Sequence, residues 1–191
     1  MRHVKCCVLL LLVLISFLST FSQTKADSIS LTFPKVVIIN NKKEILLVFD
    51  RNRKAYEVPS IGTMDGPISF KSYIDKTVKR IGITYKHFRL GGIFTYIFPD
   101  RYGTFIRPYL VVQFLGYSNG QSITDTSYKW FSLNNALKEI PYPASAKIIE
   151  MILTHPKNVW TATFEEYGYT SPVDKSKIKF KILEDFYKIN Q

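Results

Sequence analysis

"EVPSIGTMDGPISFKSYIDKTVKRIGI", residues 57–83, is the stretch whose reading decides the fold. An extended piece ends at Pro59, which has no N–H to give to a strand ladder. "GTMDGP" (62–67) reads as a loop from its Gly, Asp and Pro content. Ser69 is placed to cap a helix, and Phe70, Tyr73, Ile74, Thr77, Val78 and Ile81 then recur at spacings of three and four. That is the apolar stripe of an amphipathic helix packed on a core, with Gly82 as its stop. The remaining positions, Lys71, Asp75, Lys76, Lys79 and Arg80, face outward or toward a cleft. Lys76, Lys79 and Arg80 are neighbours on one face, with no carboxylate among them. Like-charge neighbours cost a few tenths of a kcal/mol per pair, while cations in the last helical turn gain about 0.3 to 1 kcal/mol from the helix dipole, so the two effects roughly cancel. Asp75 is expected to pair with Lys79, one turn on.

Upstream, "FPKVVIIN" (33–40) and "EILLVFD" (44–50) are β-branched runs joined by "NKK", the pattern of a hairpin, and "AYEVPSI" follows the basic turn "RNRK". Downstream, "IFTYIFPD" and "FIRPYLVVQFLGY" form a second hairpin rich in aromatics and Val. "YKWFSL" reads as a strand leading to Ser132, expected to cap the short helix "LNNALKEI". Pro141 and Pro143 break the chain before the helix "ASAKIIEMIL". "KSKIKFKILEDFYKINQ" alternates Lys with apolar residues and fits either a strand or a docked helix. The order β-β-β-α-β-β-β-α-α describes an α/β sandwich around a mixed sheet in one domain.

The first 26 residues stand apart: a basic start with Arg2 and Lys5, the apolar run "CCVLLLLVLISFL", then polar "STFSQTKA". This is the layout of a signal peptide (1–26), and the apolar run is shorter than the roughly 20 residues a membrane-spanning helix needs. The mature chain is therefore expected to be secreted or periplasmic, with no transmembrane anchor after cleavage. Both cysteines, Cys6 and Cys7, would leave with the peptide, so neither disulfides nor thiolate chemistry are expected in the remainder. Cleavage removes Arg2, Lys5 and Lys25 and no acid, which leaves 23 of the 26 cations against 15 acids, a net charge of +8. A surplus of that size fits anionic partners or simply a soluble surface with surplus Lys, and charge alone does not choose between them.

Taken together, the stretch from Ile45 to Ile83 and the later "YKWFSLNNALKEI" resemble the Nudix hydrolase family over about residues 33–155. Pro59 sits at the family's turn proline, Gly66 at its loop glycine, and Gly82 with Ile83 at the closing Gly-aliphatic pair of its helix motif. The resemblance implies a Nudix-like α/β/α sandwich around a mixed sheet, here residues 27–168, followed by a C-terminal extension, 169–191. In the family, the helix carries glutamates that hold Mg²⁺ against a diphosphate. Here the motif's first glycine falls on Ile61 and its first glutamate on Pro67. Its arginine falls on Asp75, and the following glutamates on Lys76, Lys79 and Arg80. An ammonium has no lone pair to offer a metal, so no metal ligand and no catalytic residue is expected.

Other chemistry is absent from the motifs. His87 and His155 have no metal-ligand spacing around them, and no Gly-x-Ser-x-Gly elbow, Walker loop or zinc pattern occurs. The aromatic excess (Tyr56, Phe94, Tyr96, Phe98, Tyr102, Phe105 and Tyr109) mostly falls in strands, where core packing or cross-strand pairing is expected, with a stacking platform for a base or sugar as the alternative. Lys76, Lys79 and Arg80, with Glu57 on the preceding strand, are the candidate ligand-binding residues. The expected partner is a phosphorylated or polyanionic ligand, or a protein; nucleic acid is not expected. No cofactor is expected. Mg²⁺ enters only in the alternative of a hydrolase working on a diphosphate-linked substrate through a non-standard site.

Overall fold

The computed structural model describes residues 30–99, 103–120 and 122–190, and the expected signal segment lies outside them. The helix read from the three-and-four spacing runs over Phe70–Ile81 (α1), and Tyr73, Ile74, Thr77, Val78 and Ile81 are its buried residues. The Ser69 hydroxyl accepts from the Ser72 N–H at 3.2 Å, the expected cap. At the other end Gly82 adopts φ 81°, a left-handed conformation that costs glycine nothing, and its N–H donates to the carbonyls of Val78 and Lys79. Full burial of a side chain such as Ile74 contributes about 1.5 to 3 kcal/mol, so the stripe, rather than the helix's charges, fixes its seat.

α1 follows four strands: β1 (Ser30–Thr32), β2 (Lys35–Ile39), β3 (Ile45–Asp50) and β4 (Ala55–Glu57). After it come β5 (Ile83–Ile97), β6 (Thr104–Tyr117) and β7 (Tyr128–Phe131), then α2 (Leu133–Glu139) and α3 (Pro143–Thr154), and last β8 (Trp160–Tyr167) and β9 (Lys179–Lys188). The strands make one mixed sheet in the order β4-β3-β2-β6-β5-β8-β9, with β1 beside β6 and β7 beside β3. β2 and β6 run parallel, as do β5 and β8, and the long β5–β6 pair is antiparallel.

Alternation along β2 shows how the layers are built. Val36 and Ile38 join Leu46, Leu110 and Val112 beneath α1, whereas Val37 joins Ile45, Leu47, Tyr109 and Val111 beneath α2 and α3. A strand apolar from Val36 to Ile39 is thus covered on both faces. Of the aromatics read as core or cross-strand pairs, Phe94, Tyr96 and Tyr109 are fully buried and Phe98 nearly so, Tyr56 and Phe105 pack partly buried against the same core, and Tyr102 lies outside the described residues. No helix among the described residues is long and apolar enough to cross a membrane.

Several local expectations are corrected. β5 begins at Ile83, ten residues before the "IFTYIFPD" run, and β8 and β9 extend the sheet beyond the expected order of elements. The Lys-rich C-terminal stretch is a strand paired with β8, and Tyr169, Val173, Phe180, Ile182 and Phe186 from residues 169–191 pack on the α2/α3-side core. Ser132 occupies the N-cap position of α2 but makes no side-chain capping bond. Asp75 reaches backward, not forward: its carboxylate lies 2.7 Å from the Lys71 ammonium and accepts from the Tyr85 hydroxyl at 2.8 Å. Tyr85 stands on the strand after the helix, so it draws Asp75 away from Lys79.

Candidate functional site

Between α1, the end of β3, the loop from Pro59 to Ile61 and the approach to β7 lies a recess of about 590 Å³. Thr77, Arg80 and Ile81 line it from the helix, Asp50 and Arg51 from β3 and the basic turn, and Asp125 and Tyr128 from the far wall. The loop is held by Tyr73, whose hydroxyl donates to the Gly62 carbonyl at 2.8 Å and accepts from the Ile61 N–H at 3.0 Å. A core residue of the helix thus fixes the floor of the recess.

Both acids of the recess are engaged by the backbone. Asp50 accepts from the N–H groups of Asn52 and Arg53 at 2.9 and 3.1 Å, and Asp125 accepts from the Ser127 N–H at 2.9 Å. That last bond holds the Asp125 carboxyl below its ordinary pKa. Arg51 and Arg80 form no ion pair among the described residues. The recess therefore brings two guanidinium groups that make no ion pair beside two carboxylates, Asp50 and Asp125, and Arg51 acts on Asp125 at a distance.

Of the four candidate residues, Arg80 lines this recess. Lys76 and Lys79 are exposed beside it on α1 and are not among the lining residues. Glu57 lines an adjoining recess of about 160 Å³ that shares Val48, Asp50 and Ser60 with the first. There its carboxylate lies 3.4 Å from the Lys35 ammonium, whose pKa is lowered by burial while Glu57 works against that shift. Glu57 is thus engaged with a buried cation rather than standing on the helix face.

Sequence reasoning missed Arg51, Asp125 and Tyr128, which separate loops bring to the recess. The signal for Arg51 was the basic turn "RNRK". It also missed a polar cluster inside the α2/α3-side core, formed around Lys35, Arg107 and Glu166. A charged residue inside an apolar strand run, as in "FPKVVII" and "FIRPYLVV", was the signal available.

Structural comparison decides the architecture. A MutT protein from Bacillus halodurans superposes with a TM-score of 0.58, covering 80% of this chain and 97% of its own, at 17% identity. The chain has the Nudix hydrolase fold. The Ap4A hydrolase of C. elegans matches this Nudix-like chain with a TM-score of 0.52 and 15% identity, covering 67% of this chain and 99% of its own. A Nudix hydrolase from Nitrosomonas europaea gives 0.50 and 16%, with coverages of 68% and 90%. Neither a protein-family profile nor a curated protein matches the chain by sequence.

The fold brings with it a question about metal. The Mg²⁺ implied by the resemblance needs oxygen ligands at positions that hold Lys76, Lys79 and Arg80, and among the described residues no three His, Cys, Asp or Glu side chains gather to hold an ion. The donor set of the Nudix-like helix does not fit the metal.

Proposed function

We propose that this Nudix-fold chain binds a phosphorylated or polyanionic ligand in the recess beside α1, with the charge supplied by side chains instead of Mg²⁺, and does not hydrolyse it. One observation carries the reading: Arg80 lines the recess together with Arg51, and neither guanidinium makes an ion pair among the described residues. A guanidinium grips a phosphate with two donors in a fixed fork, and Lys76 and Lys79 add point charges at the rim. Lys76, Lys79 and Arg80 have no lone pair to give a metal, so the water activation that a bound metal would supply does not come from this helix. The composition of residues 1–26 supports export of the mature chain.

The test is titration of the purified chain with pyrophosphate. Binding should be saturable, weaken as salt is raised, and be lost in the Lys79→Glu plus Arg80→Glu double variant; equal binding by that variant overturns the reading.

A second reading, a protein-binding module, is favoured by β9. It ends the described sheet and leaves Leu183 and Tyr187 exposed at 43% and 46%. Replacing both by Lys should abolish partner capture and leave pyrophosphate binding unchanged if that reading holds.

A further inference from the structure

On the opposite face of the sheet stands a guanidinium that makes no ion pair among the described residues. Arg107 stands on β6 opposite Phe94, two residues before the fully buried Tyr109. Its guanidinium lies 4.0 Å from the centre of the Tyr96 ring and 5.6 Å from that of Phe98. Nε is shut off from solvent without a hydrogen-bond partner, and among the described residues Arg107 forms no ion pair. Two carboxylates lie in the same cluster; Glu166 acts on Arg107 across it, but neither pairs with it directly. Glu57 is taken by Lys35, and Glu166, fully buried on β8, accepts a hydrogen bond from the Tyr169 hydroxyl and leaves Oε1 without a partner. The cluster as a whole favours the charged form of Arg107, yet its Nε keeps a donor that no partner uses.

A recess opens beside Arg107. Its volume is about 150 Å³, and it is walled by the rings of Phe98, Tyr142 and Tyr169, with Arg107 at the back and Arg53 and Ser171 also lining it. Tyr142 and Tyr169 stack at 5.3 Å with 9° between their planes. Tyr142 is 2% exposed; its hydroxyl makes no hydrogen bond of full geometry but lies close enough to the Arg53 guanidinium to feel its charge. The Arg53 side chain is about half exposed, as a group at a mouth would be. No carboxylate lines the recess, and it shares no residue with the one beside α1. A cavity of about this volume accommodates a benzene-sized body.

We propose that this recess binds a small aromatic carboxylate, its ring among Phe98, Tyr142 and Tyr169 and its carboxylate between Arg107 and Arg53, accepting the Tyr142 hydroxyl. The site goes beyond the anion recess of α1 and does not depend on it. A planar carboxylate offers two oxygens to guanidinium forks, and the aromatic walls contribute apolar burial that inorganic phosphate cannot exploit.

Isothermal titration of the purified chain with benzoate tests it, with benzyl alcohol as the neutral counterpart and inorganic phosphate as the anion without a ring. Benzoate should bind saturably and both controls at least about tenfold more weakly, the loss of one charge-assisted contact or of the buried ring. Arg53→Ala and Tyr142→Phe, which leave Arg107 in place, should each weaken benzoate about tenfold or several-fold respectively. Arg80→Glu should leave benzoate binding unchanged, which separates this site from the pyrophosphate site. No saturable benzoate binding, equal binding of benzyl alcohol or inorganic phosphate, or unchanged binding in both variants overturns the proposal.

Discussion

The hydroxyl of Tyr73 donates to the carbonyl of Gly62 at 2.8 Å, and through that contact α1 holds the loop that floors the recess. The same oxygen takes the Ile61 N–H at 3.0 Å and lies 2.9 Å from the Ser60 hydroxyl, so one side chain meets polar groups of three successive loop residues. Burial raises the pKa of Tyr73, and it remains a neutral donor across the working pH range.

Removing that oxygen leaves loop groups without a partner. Tyr73→Phe should therefore cost about 1 to 3 kcal/mol in urea unfolding and should also weaken pyrophosphate binding, because the floor loosens. A variant as stable as the parent would show that the loop is held by other means.

Glu166 gives the protein a pH signature. Burial pushes its carboxyl up to about 7, against the pull of the Tyr169 hydrogen bond and of Arg107. An acid whose folded pKa lies above its unfolded value near 4.5 binds a proton more tightly when folded. Its contribution is complete below pH 4.5 and is lost as pH rises through about 7. At about 1.4 kcal/mol per pKa unit, the difference is on the order of 3 kcal/mol. Glu166→Gln should flatten this dependence, so its stability relative to the parent should rise between pH 5 and pH 8. Parallel stability curves for the two proteins would contradict the assignment.

Gly92 tests the seam between β5 and β8. A Cβ at this position would stand 2.4 Å from the Trp160 carbonyl oxygen and 2.6 Å from the Phe94 ring, and the first of these is backbone of the paired strand. Gly92→Ala should destabilise by about 1 to 3 kcal/mol or more through overpacking, measured as a fall in the unfolding midpoint. The matching substitution at Gly116, where the nearest atom is a Thr84 hydroxyl at 3.8 Å, should be milder.

How much of this was legible in the sequence depends on how local each signal was. α1 was readable because its stripe, the Ser69 cap and the Gly82 stop all lie within one short segment. The first half of β5 was not: Lys86, His87 and Arg89 interrupt its apolar pattern, Gly91 and Gly92 read as a break, and its pairing with β6 shifts register at three places. β9 fitted strand or helix equally until β8 was there to pair with, and β8 itself ends its inward alternation on a charged residue, Glu166. Asp75 was assigned the wrong turn because Tyr85, which draws it, belongs to the next element. At the site, Arg80 followed from the helix alone, but Arg51, Asp125 and Tyr128 converge on it only through the sheet.

The central claim is that cations stand in for metal at the Nudix-like helix, and one measurement addresses it most directly. Pyrophosphate is titrated into the chain twice, once in EDTA and once in excess Mg²⁺, with released orthophosphate assayed in both. The account predicts saturable binding in EDTA, no tightening with Mg²⁺ and no orthophosphate released. Binding that appears only with Mg²⁺, or turnover of the ligand when the ion is present, would contradict it.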